Sequence, residues 1–158
     1  MRMTLMTSIG EGQMEKIDQI LVPVDGSEGA GRALDMAILL ADRCGVPLKL
    51  AYVVPLTAES AMALSHLDKE EVEETSQKVA GDVLTKAREA IAGGFEGLAD
   101  DVVLIGDAAT EIINYLNKHP DTLVVMGRRG LSPLKNLVLG SVSDKVMRYG
   151  GNAVMVVG

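Results

Sequence analysis

The chain has 158 residues, 47% of them hydrophobic and only 3% aromatic, and its 15 basic and 22 acidic side chains give a formal charge of -7. That length suits one domain that buries roughly two thirds of its unfolded surface in a single core, here built from Val, Leu, Ile, Ala and Met. The acidic balance disfavours nucleic acid or an anionic membrane as the main partner, and so few rings leave no stacking platform for single strands.

Residues 1–16 contain Met1, Met3, Met6 and Met14, but Gly, Glu, Thr and Gln interrupt them before any apolar stretch forms. They make no signal peptide and read as a flexible N-terminal extension, with Met14 as an alternative start. Residues 17–158 read as one domain. No run approaches the roughly 18 apolar residues of a membrane span. The lone Cys44 allows neither an intramolecular disulfide nor a cysteine-cluster metal site, and the chain reads as cytoplasmic.

From Ile17 onward, short apolar runs alternate with helical patterns, as in βαβ units around a parallel sheet covered on both faces. The first strand, Ile20–Val24, leads into Asp25-Gly26-Ser27. Asp25 can hydrogen-bond ribose hydroxyls or help hold a metal there, or it can cap the following helix, as can Ser27. In that helix, Glu28–Cys44, residues Ala30, Ala33, Leu34, Ala37, Ile38 and Ala41 recur at helical spacing, and Gly45 can close it. Gly26, Gly29 and Gly31 stand in the order G-x-x-G-x-G, and the second strand, Leu48–Val54, runs into Pro55 without an acidic ribose partner. The dinucleotide fingerprint is therefore not met, and NAD is not expected.

Residues 55–68, the longest irregular connection, leave the C-terminal end of the second strand, the position of a lid in an open α/β sheet. Lys69–Ile91 carries Val72, Val79, Val83, Leu84, Ala87 and Ile91 as one stripe. Glu70, Glu71, Glu73 and Glu74 at its start fit a solvated, dipole-matched first turn better than a metal site. The third strand is Val102–Ile105. A shorter helix around Ile112, Ile113 and Leu116 is stopped by Pro120. The fourth strand, Leu123–Met126, the helix Ser141–Tyr149 and the fifth strand, Ala153–Val157, complete the chain. All five strands are nearly continuous apolar runs and read as central ones.

The segment between the fourth strand and the last helix is Gly127-Arg128-Arg129-Gly130, then Leu131 to Leu139, then Gly140-Ser141. Glycines and a hydroxyl thus meet a helix start, which offers unpaired N–H groups and partial positive charge to a phosphate. Each glycine alone can also be a simple turn, and Ser141 with Asp144 can be an ordinary capping box. The surrounding charge favours an anion. Residues 127–148 hold Arg128, Arg129, Lys135, Lys145 and Arg148 against Asp144 alone. In a doubly wound sheet the first and fourth strands are neighbours, so Asp25 and this loop would flank one crevice. His66 and His119 lie in separate segments, and no serine or cysteine stands with a base and an orienting acid, so no catalytic residue is assigned.

These residues resemble the universal stress protein family in its ATP-binding branch: a first strand ending in Val24-Asp25-Gly26-Ser27, Gly106 after the third strand, and G-x-x-G, nine residues, Gly-Ser before a helix and a Val-rich last strand. The resemblance covers about residues 17–158. It implies an open five-stranded parallel sheet of order 3-2-1-4-5 with helices on both faces, related to the adenine nucleotide alpha hydrolase-like proteins. It also implies a site in which Pro23, Val24 and Asp25 lie on the ribose and adenine side and the Val54 backbone meets the adenine. Met126, Gly127, Arg128 and Gly130 would approach ribose and phosphates, and Gly140, Ser141, Val142 and Ser143 would hold the phosphate tail. ATP, or AMP or ADP, is the implied ligand, with Mg2+ or Mn2+ carried on the phosphates. The family often has proline where this chain has Ala108 and Ala153; both positions lie outside the phosphate motif.

The family commonly dimerises through its last strand. This sequence supports that independently, because Ala153–Val157 is an apolar edge strand with no later element to cover it. The expectation is thus a cytoplasmic homodimer, an ATP-binding, nucleotide-dependent regulatory or stress-response protein. A slow ATPase or nucleotidyl transferase and a nucleotide-free partner-binding dimer are the alternatives. The motif speaks for binding rather than turnover, since no general base is evident.

Overall fold

The computed structural model describes residues 16–57, 61–62, 65–91, 95–131 and 139–158. The N-terminal extension up to residue 15, residues 58–60 and 63–64 of the expected lid, and residues 132–138 of the glycine spacer with Lys135 lie outside the described residues.

Five strands form one parallel sheet in the order β3-β2-β1-β4-β5: β1 Gln19–Pro23, β2 Leu48–Val54, β3 Val102–Ile105, β4 Thr122–Gly127 and β5 Ala153–Val157. The register sets Ile20 beside both Leu48 and Leu123, and Gly127 beside Val157. Among the described residues these helices alternate with them: α1 Glu28–Cys44, α2 Lys69–Ala90, α3 Ala108–Lys118 and α4 Ser141–Tyr149. Because the chain returns from β3 to the far side of β1, the sheet order reverses between β1 and β4. In such sheets that reversal opens a crevice at the carboxyl ends of the strands.

Alternation along the strands divides the core in two. Ile20, Val22, Leu48, Leu50 and Val125 point to the face covered by α1 and α2. Leu21, Ala51, Val124 and Met126 point to the face covered by α3 and α4, where Ile112, Leu116 and Val146 meet them. Each fully buried Leu or Ile in these layers contributes about 1.5–3 kcal/mol relative to exposure. α1 packs closely because its buried stripe is mostly alanine: Ala30, Ala33, Leu34, Ala37 and Ala41.

β3 and β5 are the edge strands, as the order 3-2-1-4-5 implied, although their apolar runs taken alone read as central; every residue in them is only half-buried. On α2 the buried residues are Ser76, Ala80 and Leu84, while Val79 is 50% exposed. Of the expected stripe, Leu84 is buried and Val83, Ala87 and Ile91 pack against the same core, whereas Val79 turns outward and its neighbour Ala80 takes the buried place. Among the described residues no helix is long and apolar enough to cross a membrane.

Candidate functional site

The crevice begins where β1 ends. Gly26 takes a φ of +81°, which an L side chain rarely adopts, and turns the chain into α1. Ser27 caps that helix, its Oγ accepting the Ala30 N–H at 3.2 Å. Asp25 does not cap α1. Its Oδ1 accepts the Ser27 N–H at 2.9 Å, and its Oδ2 accepts the Leu131 N–H at 3.3 Å, across the crevice. The carboxylate therefore ties the end of β1 to the loop after β4.

That loop comes close only because of its glycines. A Cβ on Gly127 would stand 2.6 Å from the carbonyl carbon of Gly29, a Cβ on Gly29 would run into the Arg129 carbonyl, and a Cβ on Gly130 would strike Asp25 Oδ2. Gly29, set aside with the failed dinucleotide pattern, is thus the place where α1 meets the loop backbone to backbone. Arg128 brackets the loop through its main chain. Its N–H donates to the Val157 carbonyl at 2.7 Å, and its carbonyl accepts the Gly140 N–H at 2.7 Å. Ser143 Oγ lies 3.1 Å from the Arg128 carbonyl and 3.0 Å from that of Gly140, fastening the loop to α4.

α4 starts differently from the other helices. Ser27, Asp68 and Asp107 cap α1, α2 and α3 with their side chains, whereas α4 is capped by Gly140, which has none to offer. Ser141 is already inside the helix, so it forms no capping box with Asp144, which instead accepts from Arg148 Nε at 2.9 Å. The first N–H groups of α4, on Ser141, Val142 and Ser143, are left without a side-chain cap at the crevice wall. At the start of α3, the Thr110 hydroxyl and then its N–H donate to Asp107 and hold that carboxyl below the usual carboxylate range.

These elements enclose a cleft of about 200 Å³. Its interior is apolar, with Ala51, Val53, Met126 and Ile112, and Asp25, Gly130, Ser141 and Ser143 supply polar groups. An apolar slot with a few convergent polar groups is the usual form of a small-molecule site. Pro23, Val24, Asp25, Met126, Gly127, Gly130, Gly140, Ser141, Val142 and Ser143 all line this cleft.

Val54 and Arg128 do not line it. Val54 packs on the opposite face of the sheet and its carbonyl accepts the Gly106 N–H at 2.9 Å, while Val53, one residue earlier, faces the cleft. Arg128 is exposed, and Arg129 lines the cleft in its place. Sequence reasoning also passed over Ala108 and Ile112, which line the cleft from one face of α3 at i, i+4 spacing. Ala108 is the first residue of α3, where a proline would fit, so that departure from the family pattern falls on the cleft wall. His119 is remote from the site; its Nδ1 lies 2.8 Å from the Tyr115 carbonyl and its ring stacks on Tyr115.

The sequence pattern of the universal stress protein family matches residues 16–158. The chain belongs to that family. It is similar to universal stress protein YxiE of Bacillus subtilis, with 31% identity over 147 residues, covering 89% of this chain and 98% of that protein. Among solved structures it resembles universal stress protein UspA of Lactobacillus plantarum, with 25% identity, a TM-score of 0.70, and coverage of 90% of this chain and 98% of that one. Two other universal stress proteins share the fold and were solved with a nucleotide. One is in complex with cAMP (23% identity, TM-score 0.60, covering 89% and 97%), the other, from Archaeoglobus fulgidus, with dAMP (18%, 0.54, 89% and 97%).

Proposed function

We propose that this universal stress protein binds an adenine nucleotide, ATP foremost with AMP or ADP as alternatives, and serves as a nucleotide-dependent regulatory or stress-response protein of the cytoplasm. The observation that carries this reading is the start of α4, left uncapped at a cleft where the other described helices spend the same position on their own Ser or Asp. Phosphate oxygens are the natural acceptors for those N–H groups. The family structures with cAMP and dAMP support an adenine nucleotide as the occupant.

On this reading the base enters the apolar slot between Ala51, Met126 and Ile112. Asp25, whose oxygens each retain a free lone pair, accepts from the ribose hydroxyls. The phosphates lie over Gly130 and the Gly140–Ser143 turn. A divalent ion, Mg2+ or Mn2+, would be carried by the phosphates, because among the described residues no group of three or more His, Cys, Asp or Glu side chains comes together to hold one. Among the described lining residues Asp25 is the only carboxylate and there is no histidine, which favours binding over hydrolysis.

The same reading includes a homodimer through β5. That strand is an edge, and α1 and α4 on either side of it expose Met36, Leu39, Met147 and Tyr149. Pairing with a second β5 would satisfy the free backbone groups and cover apolar surface on both faces.

Freshly purified protein, denatured and analysed by mass spectrometry, should release an adenine nucleotide. Protein stripped of it should melt higher with ATP, by about 2.7 kcal/mol of added stability at 100 times the Kd. Absence of both effects would end this reading.

A further inference from the structure

We propose that Arg129, rather than its neighbour Arg128, reads the charge of the bound ligand: its guanidinium meets phosphate and sets the preference for nucleotides over nucleosides. The proposal rests on the nucleotide reading above and assigns a specificity residue within it.

Arg129 lines the cleft, and its Nε is buried with no hydrogen-bond partner among the described residues. It also joins none of the ion pairs found among them. What sets it apart from the other unpaired basic side chains is this buried, partnerless Nε at the wall of the cleft. Asp25, the carboxylate lining the same cleft, directs its two oxygens at the main-chain N–H groups of Ser27 and Leu131 instead. A guanidinium cannot shed its charge, so a half-buried one with an orphaned donor costs free energy until an acceptor arrives. Phosphate suits it, because the planar fork matches two phosphate oxygens.

The backbone beneath this side chain is already fixed. The Arg129 carbonyl lies against Gly29 so closely that no Cβ would fit between them. The guanidinium is therefore presented from a rigid base, which lowers the ordering cost of binding. Arg128 does the complementary work with its main chain, joining β5 to Gly140 while its side chain is exposed. The N–H groups of α4 donate to any suitably placed oxygen. Arg129 adds full positive charge and so separates ligands by charge.

Calorimetric titration of wild type, R129Q and R129K with ATP, AMP and adenosine tests this. In R129Q, ATP should bind about 10- to 100-fold more weakly, as expected for loss of a charged hydrogen bond, while adenosine affinity stays within about threefold. R129K should recover part of the loss. The ligand-free melting temperature should not fall, because no internal bond is removed. K118Q, the same charge change at the distant end of α3, should leave ATP affinity within about threefold in physiological salt. An R129Q protein that keeps the wild-type ratio of ATP to adenosine affinity, loses both ligands equally, or melts well below wild type overturns the assignment while the nucleotide reading stands. A wild type that binds none of the three ligands overturns both.

Discussion

Replacing Gly127 by alanine should destabilise the protein by inserting one methyl group between two backbones. Built on the observed main chain, that Cβ stands 2.6 Å from the Gly29 carbonyl carbon, 2.7 Å from its oxygen and 3.0 Å from its Cα. None of these atoms can rotate away as a side-chain tip can. Either the start of α1 or the end of β4 must shift, and overpacking of this kind costs about 1–3 kcal/mol. For a chain of this size that corresponds to a melting temperature lower by roughly 3–10 °C. Gly31, two residues along α1, is an internal control: nothing lies within 4 Å of a Cβ there. Gly31→Ala in a helix should stabilise by about 0.5–1 kcal/mol. The Gly29→Ala, Gly127→Ala double variant should lose less than the sum of the singles, because one displacement relieves both clashes. Urea unfolding of the four variants measures all of this. Equal stabilities for Gly127→Ala and Gly31→Ala would refute the backbone-to-backbone contact between α1 and the loop.

Gly130→Ala meets the Asp25 carboxylate, which can yield only by giving up its bond to the Leu131 N–H, so it should cost about 1 kcal/mol in stability and weaken ATP binding; unchanged calorimetric affinity would count against the Asp25 link to the loop. Asp107→Ala should lose about 1 kcal/mol at neutral pH, the usual worth of an N-cap. Because the folded-state pKa of Asp107 is lowered, that contribution is complete above the unfolded value near pH 4 and is lost as the pH falls through the folded one. The urea midpoints of wild type and Asp107→Ala should therefore converge in acid, and a gap that widens there would contradict the assignment. Val156→Lys, on the half-buried edge strand β5, should convert the proposed dimer to monomer in light scattering after size exclusion; a wild type already monomeric at micromolar concentration would exclude the β5 interface.

The fold was largely legible because each strand is a compact apolar run and each long helix carries a periodic stripe, signals that need no knowledge of neighbours. What the pattern lacked was tertiary reference. By their apolar runs alone Ala153–Val157 and Val102–Ile105 look like central strands; it is the order 3-2-1-4-5 that puts them at the edges. Val79 looks like a core residue until the turn facing β2 is known to be that of Ala80. In the site, the glycines and Asp25 were readable from residue type and position. Which side chains enter the cleft, Val53 rather than Val54 and Arg129 rather than Arg128, was not. In each pair the choice depends on a one-residue difference in direction, set on β2 by the sheet face and after β4 by a loop without period. The role of Gly29 was hidden because it depends on a partner about a hundred residues away.

The central claim, that the cleft between Asp25 and the start of α4 holds an adenine nucleotide, is tested most directly by calorimetric titration of nucleotide-stripped protein with ATP, ADP and AMP in the presence of Mg2+. Saturable binding that weakens in Gly130→Ala is the predicted result. No heat from any of the three at millimolar concentration, with the protein folded throughout, would contradict it.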